Sequence, residues 1–244
     1  MKNLFLLLIS VCLLGLTNGR TQTQLKQSAV NDSIITSIVS HINSDSIEYV
    51  IQSLQDFQTR YLMAPNRFSI ADWIENRFYE IGITDVERDS FMCHTSGFGY
   101  DTTTLQVNII ATISGTTRPD EVYIIGGHYD SYASGSPLTN APGADDNGSG
   151  SSATLELARA MVVSGYQPEA TIKFITFSAE ELMLGGDAGC EHYAQQAKDD
   201  SMNIQLMINC DMISHTLQPV EDSKVRINYY SRFIAMFDLA VAAT

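Results

Sequence analysis

Three short runs rich in β-branched and aromatic residues are each followed within three residues by acidic or imidazole side chains. Val122-Tyr-Ile-Ile-Gly-Gly leads into His128-Tyr-Asp130, Thr171-Ile-Lys-Phe-Ile-Thr-Phe into Glu180-Glu181, and Ile204-Gln-Leu-Met-Ile-Asn into Asp211. A fourth group, Asp145-Asp146-Asn147, lies between glycines and opens a helical pattern from Asn147 to Ser164, with Leu155, Ala158, Met161 and Val162 on one face. Runs of this length bounded by Gly, Pro and Thr read as strands. Strands that alternate with helices of 10–18 residues call for crossover connections, hence a mostly parallel sheet covered on both faces. The fold class is therefore α/β, with a mostly parallel (mixed) twisted sheet. Ligands bind such sheets at the carboxyl edge of the strands, where these polar groups fall.

The remaining periodicity fills in the architecture. Ile34, Ile35, Ile38, Val39 and Ile42 mark one face of a first helix, and Ile47, Val50, Ile51, Leu54 and Phe57 a second that starts at a capping Ser44-Asp45-Ser46. A third helix runs from about Ser69 to Ile81 and stops at Gly82. Val86–Met92, Gln106–Ser114 and Glu121–Gly126 are strands, Ala170–Phe177 and Ile204–Asn209 two more, with a helix over Gly185–Ala197 between them. Lys224–Tyr230 reads as a further strand, and Phe233–Ala243 opens a helix.

At the N-terminus Lys2 precedes an apolar stretch from Leu4 to Leu16, too short to span a bilayer, and Thr17-Asn18-Gly19 offers small residues for cleavage after Gly19. Residues 1–19 thus read as a signal peptide, 20–30 as a polar flexible lead and 31–244 as one catalytic domain, exported and with no membrane span once the signal is removed. A net charge of −14 argues against nucleic acid or an anionic membrane as partner. Cys93, Cys190 and Cys210 of the mature chain permit at most one internal disulfide, so no disulfide framework holds this fold.

Taken singly, each acidic group has an ordinary use. His128 and Asp130 could be a surface histidine beside a turn, one residue of Asp145-Asp146-Asn147 an N-cap, Glu180-Glu181 an acidic turn before a helix dipole, and Asp211 a strand-end cap. Two adjacent aspartates among glycines exceed what capping needs, because crowded carboxylates repel unless a cation or protons compensate them. All four groups at strand ends together point to a co-catalytic metal site, with an imidazole and carboxylates as the donor set.

These motifs resemble the zinc-dependent exopeptidase family that includes bacterial leucyl aminopeptidases, glutamate carboxypeptidases and glutaminyl cyclases. The resemblance runs over about residues 30–230. It implies that Asp146 is the ligand bridging two zinc ions (Zn2+), followed by a cis peptide, that His128 and Asp211 complete one zinc site and that Glu181 binds the other. Glu180 is then the general base, Asp130 the partner that orients His128, and Asp145 no ligand. The implied reaction is amide hydrolysis of a peptide or protein substrate: water shared by two zinc ions, deprotonated by Glu180, attacks the scissile carbonyl. The family's last ligand, a second-zinc histidine, lies well beyond the position of Asp211, whereas only 33 residues follow Asp211 here. Of the histidines present, His215 alone falls where it could stand in, and the expectation is a C-terminally truncated chain lacking the last strand and helix. Two other functions fit the same motifs: a glutaminyl cyclase-like acyltransferase needing one zinc, and an inactive truncated homologue that binds peptides.

Overall fold

The computed structural model describes residues 33–97, 100–181 and 187–214. The signal peptide, the flexible lead, the strand at 224–230, the helix at 233–243 and His215 all lie outside the described residues. Helices are α1 (residues 33–40), α2 (Ser44–Asp56), α3 (Arg67–Ile81), α4 (Gly148–Val163) and α5 (Gly189–Asp199). Strands are β1 (Val86–Gly97), β2 (Tyr100–Ile113), β3 (Arg118–His128), β4 (Ala170–Phe177) and β5 (Asn203–Asn209). None of the described helices is long and apolar enough to cross a membrane.

The strands form one mixed sheet in the order β1-β2-β4-β3-β5. β4, β3 and β5 are parallel, so their carboxyl ends meet along one edge, while β2 joins β4 antiparallel and carries β1 as a hairpin partner. Alternation along β2 and β4 divides the core in two. Ile109 and Phe174 face α2, α3 and α4, where Leu54, Ile70, Ile74, Phe78 and Leu155 are buried. Ile110 and Ile175 face the opposite side, against Tyr193 and Ala197 of α5. Each fully buried Leu, Ile or Phe contributes about 1.5–3 kcal/mol, so both layers hold the sheet that presents the site. The α/β architecture with helices on both faces is the one expected.

Two local expectations are corrected, and a third is met with a difference in exposure. The second helix begins at Ser44, but its cap is Asn43, whose side chain accepts from the N–H groups of Asp45 and Ser46. The β1–β2 arms are longer than their apolar runs, because Thr102 to Thr104 of β2 pair with Thr95, His94 and Cys93 as a polar ribbon beyond the reach of β4. The stripe on α1 is helical as expected, yet Ile34, Ile35, Val39 and Ile42 are exposed. Period identifies a helix without identifying what packs on it. α3 ends as expected at Gly82, which takes the left-handed conformation (φ 103°) and returns its N–H to Phe78 and Tyr79.

β5 lies at the edge of the described sheet, with Ile204, Met207 and Ile208 exposed. Cys93, Cys190 and Cys210 are free thiols.

Candidate metal centre

The parallel strand ends bring the acidic groups together. His128 is the last residue of β3, Glu180 and Glu181 follow β4 by a short turn, and Asp211 follows β5. Asp145 and Asp146 arrive on the loop before α4, whose first residues are small and buried because the helix packs hard against the sheet. A Cβ on Gly150 would stand 2.0 Å from the carbonyl of Cys210, so only glycine allows this approach. The peptide between Asp146 and Asn147 is cis.

His128 is 3 % exposed, and its Nε2 lies 3.3 Å from Asp146 Oδ1, 3.7 Å from Glu180 Oε2 and 3.7 Å from Asp211 Oδ1. None of these contacts has hydrogen-bond geometry, so this buried nitrogen is without a hydrogen-bond partner. Ligand atoms of His128, Asp146 and Glu181 all lie within 4.8 Å of one another, the one such grouping of metal-binding side chains among the described residues. A buried ring nitrogen that faces only carboxylate oxygens at more than bonding distance fits a cation between them, and one imidazole with carboxylates is a zinc donor set.

Asp130 binds the two walls of the site to each other. It is almost wholly buried, and its carboxylate oxygens accept from the N–H groups of Glu180 (3.0 Å) and Glu181 (3.1 Å). Its main-chain carbonyl lies 3.2 Å from His128 Nδ1, with the carboxylate 3.5 Å from the same nitrogen. The orienting contact to His128 is thus mostly through the backbone, and the carboxylate fixes the glutamates instead. Glu181 Oε1 accepts in turn from the N–H of Tyr132 at 3.0 Å.

The turn that carries the glutamates is unusual. Ala179 is in the left-handed region at φ 62°, uncommon for a residue with a Cβ. Ser178 before it gives its N–H to Asn108 Oδ1 (3.0 Å) and its hydroxyl to Gln106 Oε1 (2.8 Å), both buried on β2.

Charge compensation follows from this crowding. Burial disfavours the imidazolium of His128, but contact with the Asp130 and Asp146 carboxylates and the charge of Glu180 outweigh it and raise the pKa to about 11. Burial pushes Glu181 up to about 7, with Asp146 and Asp130 adding to it. Glu180 and Asp211 are also raised, burial being the largest cause in each, whereas contact with His128 lowers Asp146. Without a cation the cluster holds protons, and a bound cation would take over their role.

Two groups of residues escaped the sequence reading. Gln106 and Asn108 sit in a strand whose polar positions looked incidental. Arg60 is 1 % exposed, and its guanidinium donates to the carbonyls of Tyr129, Leu54, Pro142 and Gly143. It thereby ties the end of β3 to the loop leading to Asp146. Burial pulls its pKa down to about 10 against the opposing charges of Asp130, Glu181 and Asp146. Its one local signal was an arginine between the apolar residues of the Phe57-to-Leu62 stretch. The other histidines among the described residues are otherwise engaged: His192 with Asp89 at 2.9 Å, His94 with Thr103, and His41 with the carbonyl of Ser37.

Comparison with known proteins places the chain in a family. The sequence profile of Peptidase family M28 matches residues 108–233, more than half of the chain. A probable zinc metalloprotease of Pyrenophora teres f. teres is 34 % identical over 206 residues, covering 77 % of this chain and 42 % of that protein. The probable aminopeptidase YDR415C of Saccharomyces cerevisiae is 30 % identical over 204 residues, 81 % of this chain and 52 % of the relative. Among solved structures, an Acidobacteriales bacterium glutaminyl cyclase shares the fold with a TM-score of 0.60 at 21 % identity, over 71 % of this chain and 59 % of that one. The chain belongs to Peptidase family M28, a family of metallopeptidases by the names of these relatives. It spans about half the length of the curated relatives it matches.

Proposed function

We propose that this chain is an exported zinc-dependent exopeptidase, an aminopeptidase that removes N-terminal residues from peptides at a two-zinc site. The observation that carries the proposal is His128 Nε2, buried, unbonded and ringed by three carboxylates within 3.7 Å. Support for aminopeptidase chemistry comes from the family and from the names of its relatives. Support for export comes from the apolar leader ending at Gly19.

Zinc, when bound, supplies Lewis acidity that polarises a carbonyl and acidifies water. His128, Asp146 and Asp211 would hold one ion and Asp146 with Glu181 the other. Glu180 reaches the same space from the mouth of the site, with a side chain about one-third exposed. Its raised affinity for a proton suits a base that takes one from water and returns it to the leaving amine. Asp130 keeps both glutamates at their stations through their backbone N–H groups.

The test is a zinc count on the purified chain joined to an assay with an aminoacyl-anilide and an N-terminal glutaminyl peptide. Two zinc ions per chain and amine release that stops on chelation and in Glu180→Gln are expected. One zinc with cyclisation of the glutaminyl peptide would make the chain a glutaminyl cyclase, whose fold it shares. Zinc binding without either reaction would leave a peptide-binding homologue. The export half is read from the N-terminus of protein collected outside the cell, expected to start at Arg20.

A further inference from the structure

The metal-binding reading assigns Asp211 as a ligand, but Asp211 follows the edge strand of the described sheet and its side chain is 41 % exposed. What holds it in place is on the neighbouring loop. Asn147 is fully buried, and its side-chain amide donates to the carbonyl of Cys210 at 2.9 Å, one residue before Asp211. Its side-chain oxygen accepts from the N–H of Met212 at 3.4 Å, one residue after Asp211, and from Gly150 at 2.8 Å as the cap of α4. The residues two positions to either side continue the pattern. Ser149 accepts from the N–H of Ile213 at 3.0 Å, and Asp145 accepts from both the N–H and the hydroxyl of Ser214. Residues 145, 147 and 149 therefore stitch the whole exit of β5 to the loop, while Asp146, lying between the first two, faces His128.

We infer that Asn147 is a positioning residue of the metal centre, an amide clamp that grips the backbone on both sides of Asp211 and so sets the spacing of Asp211 from Asp146. This rests on the reading of the site as a metal centre. A helix cap needs only an acceptor for the first amides, which serine supplies as well as asparagine. The donor to Cys210 and the reach to Met212 serve no purpose in capping. A carboxamide in this place puts donor and acceptor on two separate atoms of one rigid group, so it faces Cys210 and Met212 at once; an ionised aspartate has no donor, and a serine hydroxyl holds both functions on the single oxygen of a shorter side chain.

Asn147→Ser separates the two roles, keeping the cap and removing the clamp. Its zinc affinity, measured by competition with a chromophoric chelator, should fall 10- to 100-fold, the usual cost of losing a residue that orients a metal ligand. The visible spectrum of the cobalt(II)-loaded chain should change with it. Asn43→Ala, which removes the cap of α2 far from the site, serves as the control: it should lower the melting temperature yet bind zinc as the unaltered chain does. Asn147→Ser that binds zinc within about twofold of the unaltered chain, with the same cobalt spectrum, overturns the inference. Should that variant fail to fold, Ser149→Ala removes one stitch from the same loop. A smaller loss of zinc affinity there supports the clamp, and an unchanged affinity overturns it. An unaltered chain that binds no zinc at all defeats the metal-centre reading itself, and is distinguished by failing before any substitution is made.

Discussion

The two walls of the site are built in opposite ways. On the β3–β4 wall His128 and Asp130 are almost completely buried and Glu181 is bonded through Tyr132, while Glu180 leaves about one-third of its side chain exposed. On the wall formed by the Asp145–Asn147 loop and the exit of β5, Asp146 and Asp211 leave 45 % and 41 % of their side chains open, and it is the backbone around them that is tied. The first wall can hold its geometry by itself. The second is held from behind, which leaves its carboxylates free to respond to whatever enters.

Arg60 backs both walls, so its loss should produce the largest effect on the contrast. Arg60→Met strips a donor from four carbonyls, two buried and two part-buried, of which Gly143 keeps the N–H of Gly148. At about 1–3 kcal/mol for each acceptor left without a partner, the loss of stability should be about 3 kcal/mol or more. Urea unfolding measures it directly. A loss under about 1 kcal/mol would mean that the carbonyls find other partners and that the walls stand independently.

Next in size is Asp130→Asn, aimed at the first wall alone. An asparagine has one acceptor oxygen, whereas two backbone N–H groups, of Glu180 and Glu181, must be received. Zinc affinity should fall about 10- to 100-fold, equal to about 1.4–2.7 kcal/mol. An equal loss of affinity in Asp130→Asn and in the clamp variants would show that the walls matter alike despite their different construction.

A pH series exposes the same contrast without substitution. Glu181 moves from the ordinary value of 4.5 to about 7, so its protonated form is the one the fold prefers. Its stabilising contribution is complete below about 4.5 and is lost as the pH rises through 7. After allowance for solvent screening of a half-buried group, the contribution is about 1 kcal/mol. The metal-free chain should thus lose roughly 2–4 °C in melting temperature across that window. Zinc should reduce the decline, since it binds the deprotonated form, and Glu181→Gln should reduce it in the metal-free protein, leaving the share of Glu180 and Asp211, which are raised as well. Asp146 is shifted the other way, so the stability it lends is present above 3.8 and lost only at lower pH. A melting temperature that rises between pH 4.5 and 7 without metal would contradict the burial of Glu181.

What the sequence disclosed, and what it withheld, follows the same division. Strand and helix periods placed β4 without error and put His128, Glu180, Glu181 and Asp211 at strand ends, because apolar runs and the polar residues after them are local signals. Asp146 was singled out from Asp145 by resemblance, and here the two do different things: one faces His128 and the other grips Ser214. Arg60 was invisible because its partners lie up to 83 residues away. The clamp by Asn147 was masked by a commoner role, since asparagine before a helix is fully explained as a cap. The exposed stripe on α1 marks the limit of such signals, for its period identified the helix and a period of 3.6 carries no information about the partner.

The smallest expected effect bears on why the first wall is stiff. Ala179 takes φ 62°, where its Cβ costs about 1–2 kcal/mol relative to glycine. Ala179→Gly would relieve that cost, but it removes a buried methyl that packs with Tyr61, Leu62 and Phe91, worth about 0.8 kcal/mol, and it frees the unfolded chain by about 0.4–1 kcal/mol. The sum is close to zero, and the melting temperature should hardly move. Hydrogen exchange at the Glu180 and Glu181 amides then separates two sources of stiffness. If the carboxylate of Asp130 holds the turn, those amides stay protected in Ala179→Gly and become labile in Asp130→Asn. If the constrained backbone of Ala179 holds it, the glycine variant alone makes them labile, and the wall's rigidity belongs to the turn rather than to the aspartate behind it.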